Sequence, residues 1–427
     1  MKVFLGVLFS AMIVFAVHAK DGERDYPTWF VVEQSENTTD HIQTTTPKAE
    51  EPSRELLSDV DKQEINPKRL KHKKSRFSKS ENEQENTRFA KNNKDLLLAE
   101  KMLKLMYRNT DNFVVSPLSF YATSVLIANG VVDETLFEFS SVFPVLHLTE
   151  ADKTLKNYVD TKKNSVSLHL ALWSSAFSEH YKMLMKEYLN AELWGIADST
   201  QIINDWLNAK TQGIIATYGE PEKADANSIY VSSYALFKEN NAPFNVQNTS
   251  IRQFFNLDET VSNIKFLQGE TIADYFENED MQVLRLAYSN GDKLTLWLPN
   301  SDVDFDDFIE TIDLNFLTPD FEREEVKVSL PEFDIEYTIK NAQEIYEALN
   351  IKRIFEKENY DFAKMISFDN PTKIKKVFNS SRIMVKENIS EKSEEELSAK
   401  ISFIADHPFI FMINNGDFIG VYALGKK

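Results

Sequence analysis

Not one of the 427 residues is cysteine, so no disulfide holds this chain together and its fold must rest on a buried core and on hydrogen bonds. That excludes the small cystine-stapled scaffolds. Core material is ample, because 42% of the residues are hydrophobic, enough for one large domain. The chain opens with MKVFLGVLFSAMIVFAVHA, in which Lys2 precedes a short apolar run closing on Val17-His18-Ala19, a small-residue cleavage pattern of the export machinery. The expectation is a leader over 1–19, a mature chain from Lys20, and a secreted, extracellular protein. No later stretch is long and apolar enough to span a bilayer, so no membrane association is expected; the expected state is a monomer.

Charge narrows the partners. Residues 20–86 carry 12 basic and 15 acidic side chains; with Lys2 set aside, −17 of the total −19 falls on the residues after them. An acidic body repels phosphate backbones, which argues against nucleic acid. Glycine is scarce, at 11 residues, and the glycine-rich nucleotide motifs are absent, so no cofactor is expected.

Residues 20–86 are polar and aperiodic, with a Thr44-Thr45-Thr46-Pro47 tract and the run ENEQEN, and read as a disordered tail. Within it Lys68, Arg69, Lys71, Lys73, Lys74, Arg76 and Lys79 could meet a sulfated polysaccharide or be cut by a processing protease, although a solvated charge run explains them as well. From Phe89, Leu96, Leu97, Leu103, Met106 and Tyr107 recur at helical spacing as far as Asn109. A second helix has Ser116 as N-cap, Pro117 in the first turn, Leu118, Tyr121, Ala122, Val125 and Leu126 on one stripe, and Gly130 beyond its end. A third runs through Ile202, Ile203, Trp206, Leu207 and Lys210 and stops at Gly213. VSLHLALW from Val166, SIYVSSYALF from Ser228 and VKVSLP from Val326 read as strands with one buried face. Asn290-Gly291 joins VLRLAY to KLTLWL, and Asn415-Gly416 joins FIFMI to FIGVYAL, as tight hairpins. The pattern indicates an α+β domain with extensive antiparallel sheet.

The ordered part, residues 87–427, resembles the serpin family. NFVVSPLS (Asn112 to Ser119) is similar to that family's strand-to-helix junction, and INDWLNAKTQGII (Ile203 to Ile215) to its helix F signature. Phe237-Lys238 with Pro243-Phe244 resembles the exit of strand 3A, and VSLPEFDIE (Val328 to Glu336) the strand and helix before the loop. ALNIKRIF (Ala348 to Phe355) and FIADHPFIFMI (Phe403 to Ile413) complete a collinear series. The resemblance implies three β-sheets, about eight or nine helices and an exposed reactive-type loop that baits a protease. In inhibitory relatives the cleaved loop enters the main sheet as a new central strand and drags the attached protease with it.

That loop is Asn388, Ile389, Ser390, Glu391, Lys392, Ser393, Glu394, Glu395, Glu396, Leu397, Ser398, Ala399, Lys400, Ile401 and Ser402. Ile389 stands where the family has a flexible glycine, and Lys392 and Glu394 where it has small residues. Strand side chains alternate, so one register turns Ser390, Lys392, Glu394 and Glu396 inward and the other Glu391, Ser393, Glu395 and Leu397. Either register buries charge, at several kcal/mol per unpaired ion. From Asn388 to Ile404 the chain spans at most ~56 Å at ~3.3 Å per residue, short by roughly one turn's worth of residues. The expectation is a non-inhibitory member acting as a binding or decoy protein. The shutter-like cluster is altered as well: Ser116 and Ser119 remain, Ser233 replaces the family's asparagine and Asn379 its histidine. The tryptophan expected between FK and PF is missing, its place taken by Glu239, Asn240, Asn241 and Ala242. These polar groups could also be simple hydrogen-bond satisfiers.

Sequons stand at Asn37, Asn248, Asn379 and Asn388; the first, second and fourth are candidate glycosylation sites, whereas Asn379 falls in a strand read as buried. The alternative function is serine protease inhibition, with Lys400, or else Leu397, as bait and a secreted serine protease as partner. A hydrolase is disfavoured, because the histidines at 41, 72, 147, 169, 180 and 407 form no H-E-x-x-H and no G-x-S-x-G elbow exists. His407 in ADHPF reads as a buried, hydrogen-bonded residue.

Overall fold

The computed structural model describes residues 94–107, 112–143, 150–175, 177–196, 198–225, 227–314, 321–356, 359–367, 371–388 and 399–425. The expected leader, the tail with its basic cluster and Asn37, the domain start at 87, and loop residues Ile389 to Ser398 lie outside the described residues.

Helix α1 (Lys94–Tyr107) buries Leu96, Met102, Leu103 and Met106, while Leu97, one position off that stripe, is 46% exposed. Helix α2 (Pro117–Ala128) starts as its punctuation predicts: Ser116 Oγ accepts the Ser119 N–H and Pro117 occupies the first turn. Every residue of α2 is buried, which places it at the centre of the molecule. The remaining helices are α3 (Asp133–Val142), α4 (Glu150–Lys162), α5 (Glu179–Leu189), α6 (Gln201–Lys210), α7 (Phe305–Thr311) and α8 (Gln343–Ala348). Among the described residues no helix is long and apolar enough to cross a membrane.

The strands are β1 (Phe113–Val115), β2 (Val166–Ser174), β3 (Glu192–Gly195), β4 (Ser228–Phe237), β5 (Asn248–Phe255), β6 (Val261–Glu277) and β7 (Met281–Ala287). They continue with β8 (Lys293–Pro299), β9 (Glu322–Pro331), β10 (Phe333–Ile339), β11 (Lys373–Val385), β12 (Ile401–Ile404), β13 (Phe409–Ile413) and β14 (Phe418–Tyr422). The smaller sheet has the order β10-β11-β4-β2-β3. The larger runs β1-β14-β13-β8-β7-β6-β9-β12, with β5 also on β6. It divides into two sections because the first half of β6 pairs with β5 and its end with β7. The smaller sheet and these two sections, joined through β6, make up the three sheets implied by the resemblance, and the architecture is α+β.

Three local expectations need correction. VSLHLALW and SIYVSSYALF were expected to bury one face, but α6 folds back over the second. Trp173 and Tyr230 pack beneath α6 with Trp206, the two indoles edge to face at 5.5 Å, while Leu172 and Val231 point to the main core. VSLPEFDIE is two strands, β9 and β10, interrupted only at Glu332; the alternation continues through Phe333 and Ile335, so no helix forms. Both asparagine-glycine turns are longer than a two-residue hairpin. Ala287 pairs with Lys293 and Ile413 with Phe418, and positive φ falls on Gly291 (87°), Asn414 (52°) and Gly416 (107°) rather than on both central residues. The added residues let Asp292 and Asp417 turn inward.

Where β1 joins β14 the backbones leave no room for a side chain. A Cβ on Gly420 would lie 2.2 Å from the Phe113 carbonyl oxygen and 2.6 Å from the Phe411 ring. Gly420→Ala is therefore expected to cost about 2 kcal/mol by forcing β1 off β14. Urea unfolding measures it, and an unchanged midpoint would mean that β1 yields freely.

Candidate functional site at the central seam and loop base

The loop's two ends leave from different sheets. Its proximal end follows β11, in the middle of the smaller sheet; its distal end enters β12, which pairs parallel with β9 at the edge of the larger one. Ile401 and Ser402, assigned to the loop from sequence, belong to β12 because they register with Val326 and Lys327. Ala399 is buried, and Lys400, the candidate bait, is exposed immediately before the strand.

Strands β4 and β11 pair directly and in parallel, with nine registered positions from Ser228↔Lys373 to Leu236↔Arg382. This seam is where an entering strand would have to part the sheet. Ser232, Ser233, Val377, Phe378, Asn379, Ser380 and Ser381 along it are all buried. On one face Phe378 stacks against Tyr218 at 4.4 Å, and the Tyr218 hydroxyl lies 2.5 Å from Ser232 Oγ. On the other face the four shutter-like residues meet. Asn379 Nδ2 donates to Ser233 Oγ at 2.9 Å and to Ser119 Oγ at 3.2 Å, while Ser116 Oγ caps α2 and donates to the Asp417 carbonyl at 2.7 Å. Asn379 Oδ1 is buried without a hydrogen-bond partner, so this polar knot is closed on one side only. Asn379 is 2% exposed and bonded through its amide nitrogen, a geometry in which a glycan has no place.

Beyond the end of β11 the chain stays on the segment that follows β4. The Lys386 N–H donates to Asn240 O and its carbonyl accepts the Ala242 N–H, both at 2.8 Å. Glu387 pairs with Lys265 at 3.0 Å, and Lys265 also holds Glu332 at 2.8 Å. Asn388, half-buried, donates through Nδ2 to Phe244 O (2.8 Å) and Ala242 O (3.3 Å) and accepts the Val246 N–H on Oδ1 (3.4 Å). A sugar on Nδ2 would replace at least one of those donors. Asn248, at the start of edge strand β5, is exposed.

Sequence reasoning missed a buried carboxylate cluster behind the shutter. Lys162, the last residue of α4, holds Asp292 at 2.5 Å. Asn414 Nδ2 bridges Asp292 (3.0 Å) and Asp417 (2.6 Å), and the Tyr158 hydroxyl donates to Asp417 at 2.7 Å. Burial pushes Asp417 up to about 6 against the bonds from Asn414 and Tyr158. Burial acts on Asp292 in the same direction, but the bonds from Lys162, Ser165 and Asn414 outweigh it and hold Asp292 below the usual carboxylate range. The signal was present in the sequence: each turn repeats Asn-Gly-Asp, at 290–292 and 415–417. His407 is hydrogen-bonded as expected, with Nδ1 2.8 Å from Asp406 and Nε2 2.7 Å from the Pro299 carbonyl, but it is half-buried rather than buried.

The comparisons agree with this architecture. The family description "Serpin (serine protease inhibitor)" matches residues 86–426. Serpin B6 of Macaca fascicularis is 24% identical over 360 residues, covering 74% of this chain and 93% of its own. Among solved structures, the thermophilic serpin tengpin in its native state superposes with a TM-score of 0.68 at 21% identity, over 78% of this chain and 93% of its own. Serpin48 of the insect Tenebrio molitor gives 0.68 at 22% identity, over 79% and 100%. With the family's description matched across the described domain, and its sheet and loop ends in place, the chain belongs to the serpin family.

Proposed function

We propose that this serpin-type scaffold is secreted and non-inhibitory, serving as a binding or decoy protein for a protein partner rather than as a protease trap. One observation carries the reading: the β4–β11 seam, where the serpin resemblance puts the entering loop, is buried on both faces, whereas residues 391–396 are Glu391, Lys392, Ser393, Glu394, Glu395 and Glu396. Seated there, either set of alternate side chains would place ions against Phe378 and Tyr218 or against the Asn379 knot, and Arg382, a cation on the seam, is already engaged by Asp334. Secretion is supported by the leader-like start, and a sulfated polysaccharide as second ligand by the basic cluster at 68–79. The test is incubation of the mature protein with trypsin-like, chymotrypsin-like and elastase-like enzymes, followed by denaturing electrophoresis and thermal melting. The expected result is a nicked loop, no denaturant-resistant complex, and a melting midpoint raised by little. A stable adduct ending at Lys400 would instead establish the second reading, a serine protease inhibitor, which the exposure of Lys400 favours.

A further inference from the structure

The closed top of the seam depends on more than backbone pairing. Regular β4–β11 registry ends at Leu236↔Arg382, and one isolated bridge, Asn241↔Lys386, continues it. Two residues later a side chain takes over the role of the ladder, because Asn388 engages three backbone groups of the 242–246 segment with both ends of its amide. That segment is a firm receiving surface. Ala242 and Phe244 are buried, Gln247 N–H donates to Gln268 O at 2.8 Å, and Asn245 O lies so close to Gly269 that a Cβ there would stand 2.1 Å away.

We propose that Asn388 is a positioning residue, a clasp that fixes where the loop leaves the sheet and holds its first residue on the 242–246 segment, away from the seam. A strand entering between β4 and β11 would have to strip 386–388 from 240–246, breaking three side-chain bonds and two backbone bonds. The amide is the one short side chain suited to this position: it offers two donors to two carbonyls and an acceptor to one N–H. An aspartate of the same shape would set a second acceptor against Ala242 O and Phe244 O. The clasp goes beyond the loop-charge argument, and the two fail separately, since one concerns the resting exit of the loop and the other the stability of an inserted strand.

The test uses the full chain from a bacterial host, so that Asn388 carries no sugar, and hydrogen exchange at single amides. In Asn388→Ala and in Asn388→Asp the Val246 amide is expected to exchange about tenfold faster, while the Ala242 and Gln247 amides, bonded to Lys386 O and Gln268 O, keep their protection. The first cut within residues 389–400 by a non-specific protease should quicken severalfold in both variants. If Asn388→Asp behaves as the native protein does, the role is steric and the clasp is refuted. Unaltered Val246 exchange in Asn388→Ala, or an equal rise at all three amides, refutes it too.

Discussion

Lys162→Met is expected to lower the unfolding free energy by about 3 kcal/mol at neutral pH, because it strands a buried carboxylate. Asp292 is 2% exposed and Lys162 is the cation that holds it. Asp417 beside it is fully buried and relies on Tyr158 and Asn414, both neutral. The two carboxylates have opposite pH signs in the native protein. Asp292, held below its ordinary value, contributes stability that is present above the unfolded pKa near 3.9 and is lost as pH falls through the lower folded value. Asp417, raised to about 6, binds its proton more tightly folded than unfolded, so its ionisation removes stability as pH climbs from about 4 to about 6. Without Lys162 the burial of Asp292 is opposed only by its bonds from Ser165 and Asn414, so its ionised form, like that of Asp417, weighs against the folded state at neutral pH. The loss in the variant should therefore be largest at pH 7.5 and shrink toward pH 4.5, as protonation relieves both carboxylates. Denaturant midpoints at the two pH values measure this, and an equal loss at both would show that Lys162 acts by packing alone.

Rewriting the loop should produce the other large effect. With Ile389→Gly and residues 391–396 replaced by alanine and threonine, cleavage is expected to raise the melting midpoint by on the order of 10 °C, against little change for the native sequence. An inserted strand exchanges the single β4–β11 ladder for two, a net gain of several backbone hydrogen bonds at about 1 kcal/mol each. Small side chains collect that gain, whereas Glu391, Lys392, Glu394, Glu395 and Glu396 offset it with desolvation. Adding Asn388→Ala to the rewritten loop should speed the transition without moving its endpoint, because a clasp in the resting state governs the barrier while charge governs the inserted product. A rewritten, nicked protein whose midpoint stays put would remove charge as the cause.

Much of the framework can be read along the chain. Ser116 and Pro117 announce α2, the paired apolar runs announce β7–β8 and β13–β14, and the collinear motifs lead to the serpin family. The identities of Ser116, Ser119, Ser233 and Asn379 as one group come from that likeness, since 260 residues separate Ser119 from the Asn379 amide that bonds it. The Asn-Gly-Asp turns show the limit of local reading. Glycine and asparagine mark a turn wherever they occur, and an aspartate beside them reads as a solvated surface group. Here the turns carrying Asp292 and Asp417 pack on each other and on α4, and the same aspartates become buried.

Helix starts, strand alternation and turn positions were determined by the sequence, because caps, side-chain period and backbone sterics act over about four residues. Tertiary structure decided which polar groups are enclosed: α6 closing over β4, Lys162 meeting Asp292 across 130 positions, and Asn388 reaching Phe244 across 144. Burial and pairing depend on what lies opposite in space, and only the packed chain brings those groups face to face.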